Sequence, residues 1–197
     1  MGKSVELLGL AAFNVVIALI LSATFLTTAE KSVNKLTEAN VESFLTEVTE
    51  VSGGMREDMD SYSVTEYFMK HLAEDSKFVS RIEYALDNED LNSERTLEMD
   101  KLNFISHVLQ GMESINKHET AVEIEYIEIA DNGRRARVTT TNYERGIMPV
   151  ADAFGEAQMM PVTGTSYCEQ ELVLNKKNII QMAQANCNTN IDILDAF

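Results

Sequence analysis

Few side chains in this sequence are suited to chemistry. Its three histidines are His71, His107 and His118, and its two cysteines are Cys168 and Cys187. An imidazole titrates near neutral pH, so a histidine facing a pocket is a candidate acid or base. His71 stands one residue before Leu72, at the edge of an apolar stripe, and His107 lies between Ser106 and Val108 on another. Both are candidate pocket residues, although a lone helical histidine more often sits at the edge of a core. His118 falls in a polar stretch and is expected to be solvated. The cysteines have no CxxC spacing and no histidine close by in sequence, which argues against a redox motif or a metal site. As an even pair in an exported chain they are expected to form a structural disulfide.

Residues 147–162, IMPVADAFGEAQMMPV, hold both prolines of the chain and few charges. Met148, Phe154, Met159 and Met160 in this stretch make it a candidate binding loop, because flexible thioethers suit adaptable apolar contacts. A long connection folded onto a sheet is the equal alternative. Tyr67, Tyr126 and Tyr143 are at spacings more typical of core than of a pocket. The acidic run 87–94, DNEDLNSE, has the look of a calcium loop, but it lacks the central glycine and places Leu91 where an oxygen ligand is needed. No glycine-rich phosphate loop, GxSxG elbow or HExxH pair is present. No catalytic residue, cofactor or metal is therefore assigned.

The elements that must position these residues follow from periodicity. Residues 30–51 are expected to form a helix, with Val41, Phe44, Val48 and Val51 at 3-4-3 spacing and Ser52-Gly53-Gly54 ending it. Ser63 to Glu66 reads as a capping box opening a second helix, with Val64, Phe68 and Leu72 on one face. Asp75-Ser76 is expected to restart that helix, since Val79, Ile82 and Leu86 continue the stripe. A third helix is expected from about Ser93 to Asn116, carried by Leu102, Ile105, Leu109 and Met112, and it should be the most buried.

At Glu119 the period changes to two. Val122, Ile124 and Tyr126 alternate with glutamates, and Ile127 and Ile129 then fall on the opposite face, which calls for a bulge. Asn132-Gly133 signals a hairpin. Closing it there sets Glu128 opposite Arg137, Ile127 opposite Val138 and Tyr126 opposite Thr139. A second hairpin runs from Tyr167 to Ile193 across residues 175–178. Closing it on Lys177-Asn178 puts Cys168 opposite Cys187, unless a bulge moves the register. Such a bridge closes a loop of about 20 residues and contributes ~3 kcal/mol in the chain-entropy model. Helices before strands predict an α+β fold: an N-terminal hydrophobic helix, then about three helices packed on a four-stranded antiparallel curved sheet.

The chain carries 16 Lys plus Arg against 32 Asp plus Glu, a net charge of −16. That excludes nucleic acid and anionic lipid surfaces as partners and suits a soluble, acidic domain. The N-terminus differs in character. Leu7 to Ala29 has no charged residue over 23 positions, roughly 34 Å of helix, enough to cross a hydrocarbon core. Two readings stand: an uncleaved anchor, or a signal peptide cut after Thr27-Thr28-Ala29. Both divide the chain into residues 1–29, anchor or signal peptide, and an exported α+β domain over 30–197. The expected location is the inner membrane facing the periplasm, or the periplasm or exterior if the segment is removed.

The hairpins VEIEYIEIADNGRRARVTTTNYERG and SYCEQELVLNKKNIIQMAQANCNTNI resemble the nuclear transport factor 2-like, or cystatin-like, α+β superfamily over about residues 120–193. The resemblance implies a pocket between sheet and helices, used for small ligands, catalysis or protein docking. In outline, a helix opening Gly2-Lys3-Ser4-Val5-Glu6 before a sheet with two cysteines also looks like a type IV pilin, although Glu6 follows Gly2 by four positions instead of five. The first functional reading is a non-enzymatic, membrane-tethered domain that binds a protein partner or a second copy of itself in an envelope complex. The alternative is a small-ligand binder or enzyme with a ketosteroid-isomerase-like pocket. A cavity lined by His71 or His107 with a carboxylate favours the latter.

Overall fold

The structure, a computed structural model, describes residues 33–86, 93–151 and 157–193. The apolar segment proposed as anchor or signal peptide lies outside the described residues. Among those described, no helix is long and apolar enough to cross a membrane. The elements run α1 (Glu38–Ser52), α2 (Ser61–His71), β1 (Leu72–Leu86), β2 (Ser93–Asp100), α3 (Lys101–Ser114), β3 (Asn116–Ile129), β4 (Arg135–Ala151), β5 (Ala157–Leu174) and β6 (Ile180–Ile193).

The three helices and the curved sheet are as expected, but the sheet has six strands instead of four and is mixed. Its order is β2-β1-β6-β5-β4-β3. β1 runs parallel to β6, with Phe78 beside Ala185 and Ser80 beside Cys187. β2 is antiparallel to β1. Both added strands occupy sequence expected to be helix. In β1 the stripe at Val79, Ile82 and Leu86 fits a helix by spacing, yet the backbone alternates. Phe78, Ser80 and Ile82 share the inner face, and the polar Ser80 there hides the strand period.

The helix starts also differ from expectation. α1 begins at Glu38, because Thr37 is extended and caps it. The Thr37 hydroxyl accepts from the Asn40 N–H, and the Asn40 side chain accepts from the Thr37 N–H. This reciprocal box stands in α1, whereas α2 is capped by Asp60. The Asp60 carboxylate accepts from the Ser63 N–H at 2.8 Å and from its hydroxyl at 2.6 Å. α3 likewise starts late, behind Asp100, whose carboxylate accepts from Asn103 N–H at 2.9 Å.

The first hairpin shows the expected pairings. Glu128, Ile127 and Tyr126 face Arg137, Val138 and Thr139, and a bulge at Glu125 keeps Val122, Ile124, Ile127 and Ile129 on one face. Gly133 adopts φ 65° in the first turn and Asn178 φ 61° in the second. The second hairpin closes one residue off the expected register, pairing Leu174 with Ile180 and Leu172 with Met182. A bulge at Ala183 restores it, and Cys168 then pairs with Cys187. The segment before α1 ties both turns together: Val33 N–H donates to Asn178 O at 2.9 Å and Leu36 N–H to Gly133 O at 2.7 Å.

The described parts of the 147–162 stretch are strand instead of free connection: 147–151 belong to β4 and 157–162 to β5, with Met148 paired to Met160 and Pro149 to Met159. The core lies between the helices and the closed end of the sheet. Val41, Phe68, Leu72, Val138 and Leu172 are fully buried there. Phe104 stacks on Phe78 at 4.3 Å and meets Phe68 edge-on at 5.6 Å. The most buried helix is α1, which covers Val41, Phe44, Leu45 and Val51. In α3 only Lys101 and Ile105 are buried, because much of its apolar face borders a cavity.

Candidate functional site

That cavity, about 340 Å³, lies between the inner face of the sheet and helices α1 and α3. Strand alternation presents a polar and apolar mosaic from the sheet side: Ser80 and Ile82 of β1, Asn142 and Glu144 of β4, Ser166, Cys168 and Gln170 of β5, and Cys187, Thr189 and Ile191 of β6. The helices and the β2 side supply the apolar cover through Leu45, Val48, Leu97, Met99, Phe104 and Val108. Gly111, on the cavity side of α3, would place a Cβ in open space with nothing within 4 Å. The absence of a side chain there contributes to the free volume.

The polar groups are partly satisfied among themselves. The Thr189 hydroxyl lies 3.3 Å from that of Ser80 and 2.9 Å from that of Ser166. The buried Thr140 Oγ1 accepts from Asn142 Nδ2 at 3.2 Å and from Gln170 Nε2 at 3.3 Å. Two sets remain open. Gln170 Oε1 is buried with no hydrogen-bond partner, and so are both ring nitrogens of His118. His118 Nε2 stands 3.5 Å from Glu144 Oε2, too long for a hydrogen bond by geometry but close enough for charge to be felt. The His118 side chain is 12 % exposed and that of Glu144 50 %, which places this pair at the rim.

The three histidines thus separate. His107 lines the cavity from α3 while remaining exposed. His71 does not line it. Its ring packs 4.6 Å from that of Tyr67 and 5.6 Å from that of Phe44, and its Nδ1 lies 3.0 Å from Ile180 O. α2 packs against the filled end of the core, so a histidine at its last residue meets aromatic rings instead of free volume. His118, expected in solvent, lies on β3 and points inward. The change of period marks a strand near this position, but the polar neighbours Lys117 and Glu119 conceal which face it takes.

Cys168 and Cys187 are joined in a disulfide across β5 and β6, with Cα atoms 4.2 Å apart, and both line the cavity. Met148 and Met160 are half-buried on β4 and β5 and Met159 is 47 % exposed. Phe154 lies outside the described residues. Tyr126 and Tyr143 are exposed on the outer face of the sheet. Tyr67 is held inside by its ring contacts, and burial pushes its phenol well above the ordinary tyrosine range. Among the described residues no group of three or more His, Cys, Asp or Glu side chains converges to hold a metal ion.

No protein-family model matches this chain, and no curated protein matches it. Solved structures do. A ketosteroid isomerase-like protein from Erwinia carotovora atroseptica is 12% identical, with 81% of this chain and 94% of that one covered at a TM-score of 0.37. A protein with a cystatin-like fold from Caulobacter vibrioides is 9% identical over 79% of this chain and 87% of that one, at 0.42. A nuclear transport factor 2-like superfamily protein from Salmonella enterica is 8% identical over 77% and 92%, at 0.44. The structures this chain resembles are therefore of the nuclear transport factor 2-like and cystatin-like kind.

Proposed function

We propose that this chain binds a small, largely apolar molecule between its sheet and its helices. The observation that carries the reading is the unfilled cavity of about 340 Å³, within the size range of small-molecule sites. A purely structural interior would be packed to crystal-like density and would pair its buried polar atoms. Here the lining includes Gln170 and His118, whose buried Oε1 and ring nitrogens have no hydrogen-bond partner. The apolar wall supplies affinity and the few polar atoms supply orientation. The disulfide supports residence in an oxidising compartment, in keeping with export.

The test fills the cavity from within. Gly111→Phe places a ring in the open space beside α3, at a helical position where Phe is favoured over Gly. Binding of a neutral probe, 4-biphenylmethanol, is measured by titration calorimetry on the intact chain. The reading predicts saturable binding to the natural protein and at least about a tenfold loss in Gly111→Phe at an equal or raised melting temperature. Equal binding by both proteins contradicts it.

A second reading, docking of a protein partner or a second copy by a membrane-tethered domain, is favoured by the 47 % exposure of Met159. It places the partner on residues 147–151 of β4 and 157–162 of β5, none of which lines the cavity, so the two readings are compatible.

A further inference from the structure

The alternation that turns one set of strand side chains toward the helices turns the other set toward the open side of the sheet. A second cleft, about 410 Å³, opens on that side over β1, β6 and β5. Its side chains are Val79 and Arg81 of β1, Asn186 and Asn188 of β6, Tyr167 and Glu169 of β5, and Thr139 of β4, with the bridged cysteines at its border. The register sets them in rows. Arg81, Asn188, Tyr167 and Thr141 form one row, and Val79, Asn186, Glu169 and Thr139 the next. Arg81, Glu169, Asn186 and Asn188 are all exposed. Among the described residues none of these four side chains has a hydrogen-bond or ion-pair partner. One guanidinium and one carboxylate make the cleft neutral within a chain of net charge −16.

The aromatic surface continues beyond the cleft. Tyr143 pairs with Thr165, two residues from Tyr167, so the two tyrosines are diagonal neighbours roughly 7–8 Å apart at the backbone. Both are exposed. Thr141 shares their face, opposite Tyr167, yet is only 2 % exposed, and its hydroxyl donates to Glu125. The side chains around Thr141 therefore lie across it, and a tyrosine ring lying across the sheet turns a flat face outward. The Tyr143 O–H donates to Glu123 Oε2 at 3.4 Å, which holds that ring in place.

We propose that this outer face binds a neutral oligosaccharide, with one sugar ring on Tyr167 and the next toward Tyr143. A pyranose has an apolar C–H face and a rim of hydroxyls. The exposed phenol rings cover the face. The amides of Asn186 and Asn188, the Arg81 guanidinium and the Glu169 carboxylate are planar groups that offer paired donors or acceptors to adjacent hydroxyls. The acidic chain repels charged glycans and nucleic acid. A flat aromatic ligand would use the rings and leave these four groups without a counterpart. The site lies on the opposite side of the sheet from the cavity and is independent of it.

Four neutral tetrasaccharides test it, cellotetraose, chitotetraose, laminaritetraose and maltotetraose, with tetragalacturonic acid as the charged control. Each is titrated calorimetrically into the full chain and into Tyr167→Ala, Tyr167→Trp and Asn188→Ala. At least one neutral sugar should bind saturably and the charged control should not. That sugar should bind at least about tenfold more weakly to Tyr167→Ala, where the stacking face is gone, and more weakly to Asn188→Ala. Tyr167→Trp should retain it. Saturating 4-biphenylmethanol should leave its affinity unchanged. The proposal is overturned if no neutral sugar binds, if the charged control binds as tightly, or if Tyr167→Ala binds as well as the natural chain. Displacement of the sugar by 4-biphenylmethanol would put it in the cavity and also overturn the assignment. Sedimentation equilibrium without sugar decides the rival occupant: a dimer that Tyr167→Ala dissociates would give this face to a second copy.

Discussion

Gly111 leaves space on α3 where any other residue would begin to fill it. A glycine within a helix costs about 0.5–1 kcal/mol relative to alanine. Since a Cβ there touches nothing within 4 Å, Gly111→Ala should raise stability by about that amount in denaturant unfolding. A loss of stability would show that the position is constrained by something other than the cavity. The same scale explains what could be read in advance. Cys168 and Cys187 were legible as a disulfide because two hairpin strands and an even cysteine count leave one sensible pairing. His118 was not, because its orientation depends on the strand face, and its neighbours Lys117 and Glu119 carry no apolar alternation to reveal it. Gln170 gave no signal either. Its Oε1 is left without a partner while its Nε2 donates to Thr140, a cross-strand contact that no local pattern announces.

Helix α2 owes its start to Asp60, a residue outside the expected capping box. The Ser63 hydroxyl and then the Ser63 N–H hold the Asp60 carboxyl below the ordinary aspartate range. A carboxylate whose folded value is depressed stabilises the fold above its unfolded value, about 3.9, and that contribution is lost as pH falls through the folded value. Asp60→Ala should therefore lower the melting temperature clearly at pH 7, and the gap to the natural chain should close as pH approaches 2. A gap that persists at pH 2 would mean that the carboxylate charge is not what caps the helix. At this scale the hairpins were the most legible elements, because Asn132-Gly133 and the alternation of β3 specify turn and register together. β1 and β2 were the least legible. Their inner positions carry Ser80 beside Phe78 and Ile82, so the strand period was masked and the residual 3-4 spacing read as helix. A residue that borders free volume need not be apolar, and apolar periodicity loses its force where the sheet faces a cavity.

The described residues form a curved six-stranded sheet with helices on one face, tied at one end and left unfilled within. The tie is visible in Val33 and Leu36, which bond to the two hairpin turns, and in the dense cluster around Phe68. Beyond it, α1 and α3 stand off the inner face, and the disulfide joins β5 and β6 along the cavity wall. The α+β class was legible from helices preceding strands, whereas the two extra strands and the parallel β1–β6 pairing were not. The parallel pairing joins residues about 107 positions apart in sequence, from Lys77 with Gln184 to Leu86 with Ile193, and no local pattern announces it. The free volume had no local signature for the same reason, since it results from how elements distant in sequence stand apart. The expected role shifts with it, from partner docking first to ligand binding first. The most direct measurement is the location of a bound probe by intermolecular nuclear Overhauser effects, using 4-biphenylmethanol on the intact chain. The account predicts effects to Phe104, Val108, Met99 and Ile191 and none to Tyr126, Tyr143 or Tyr167 on the outer face. Effects confined to those tyrosines or to Met159, or none at any cavity residue at saturating probe, would contradict it.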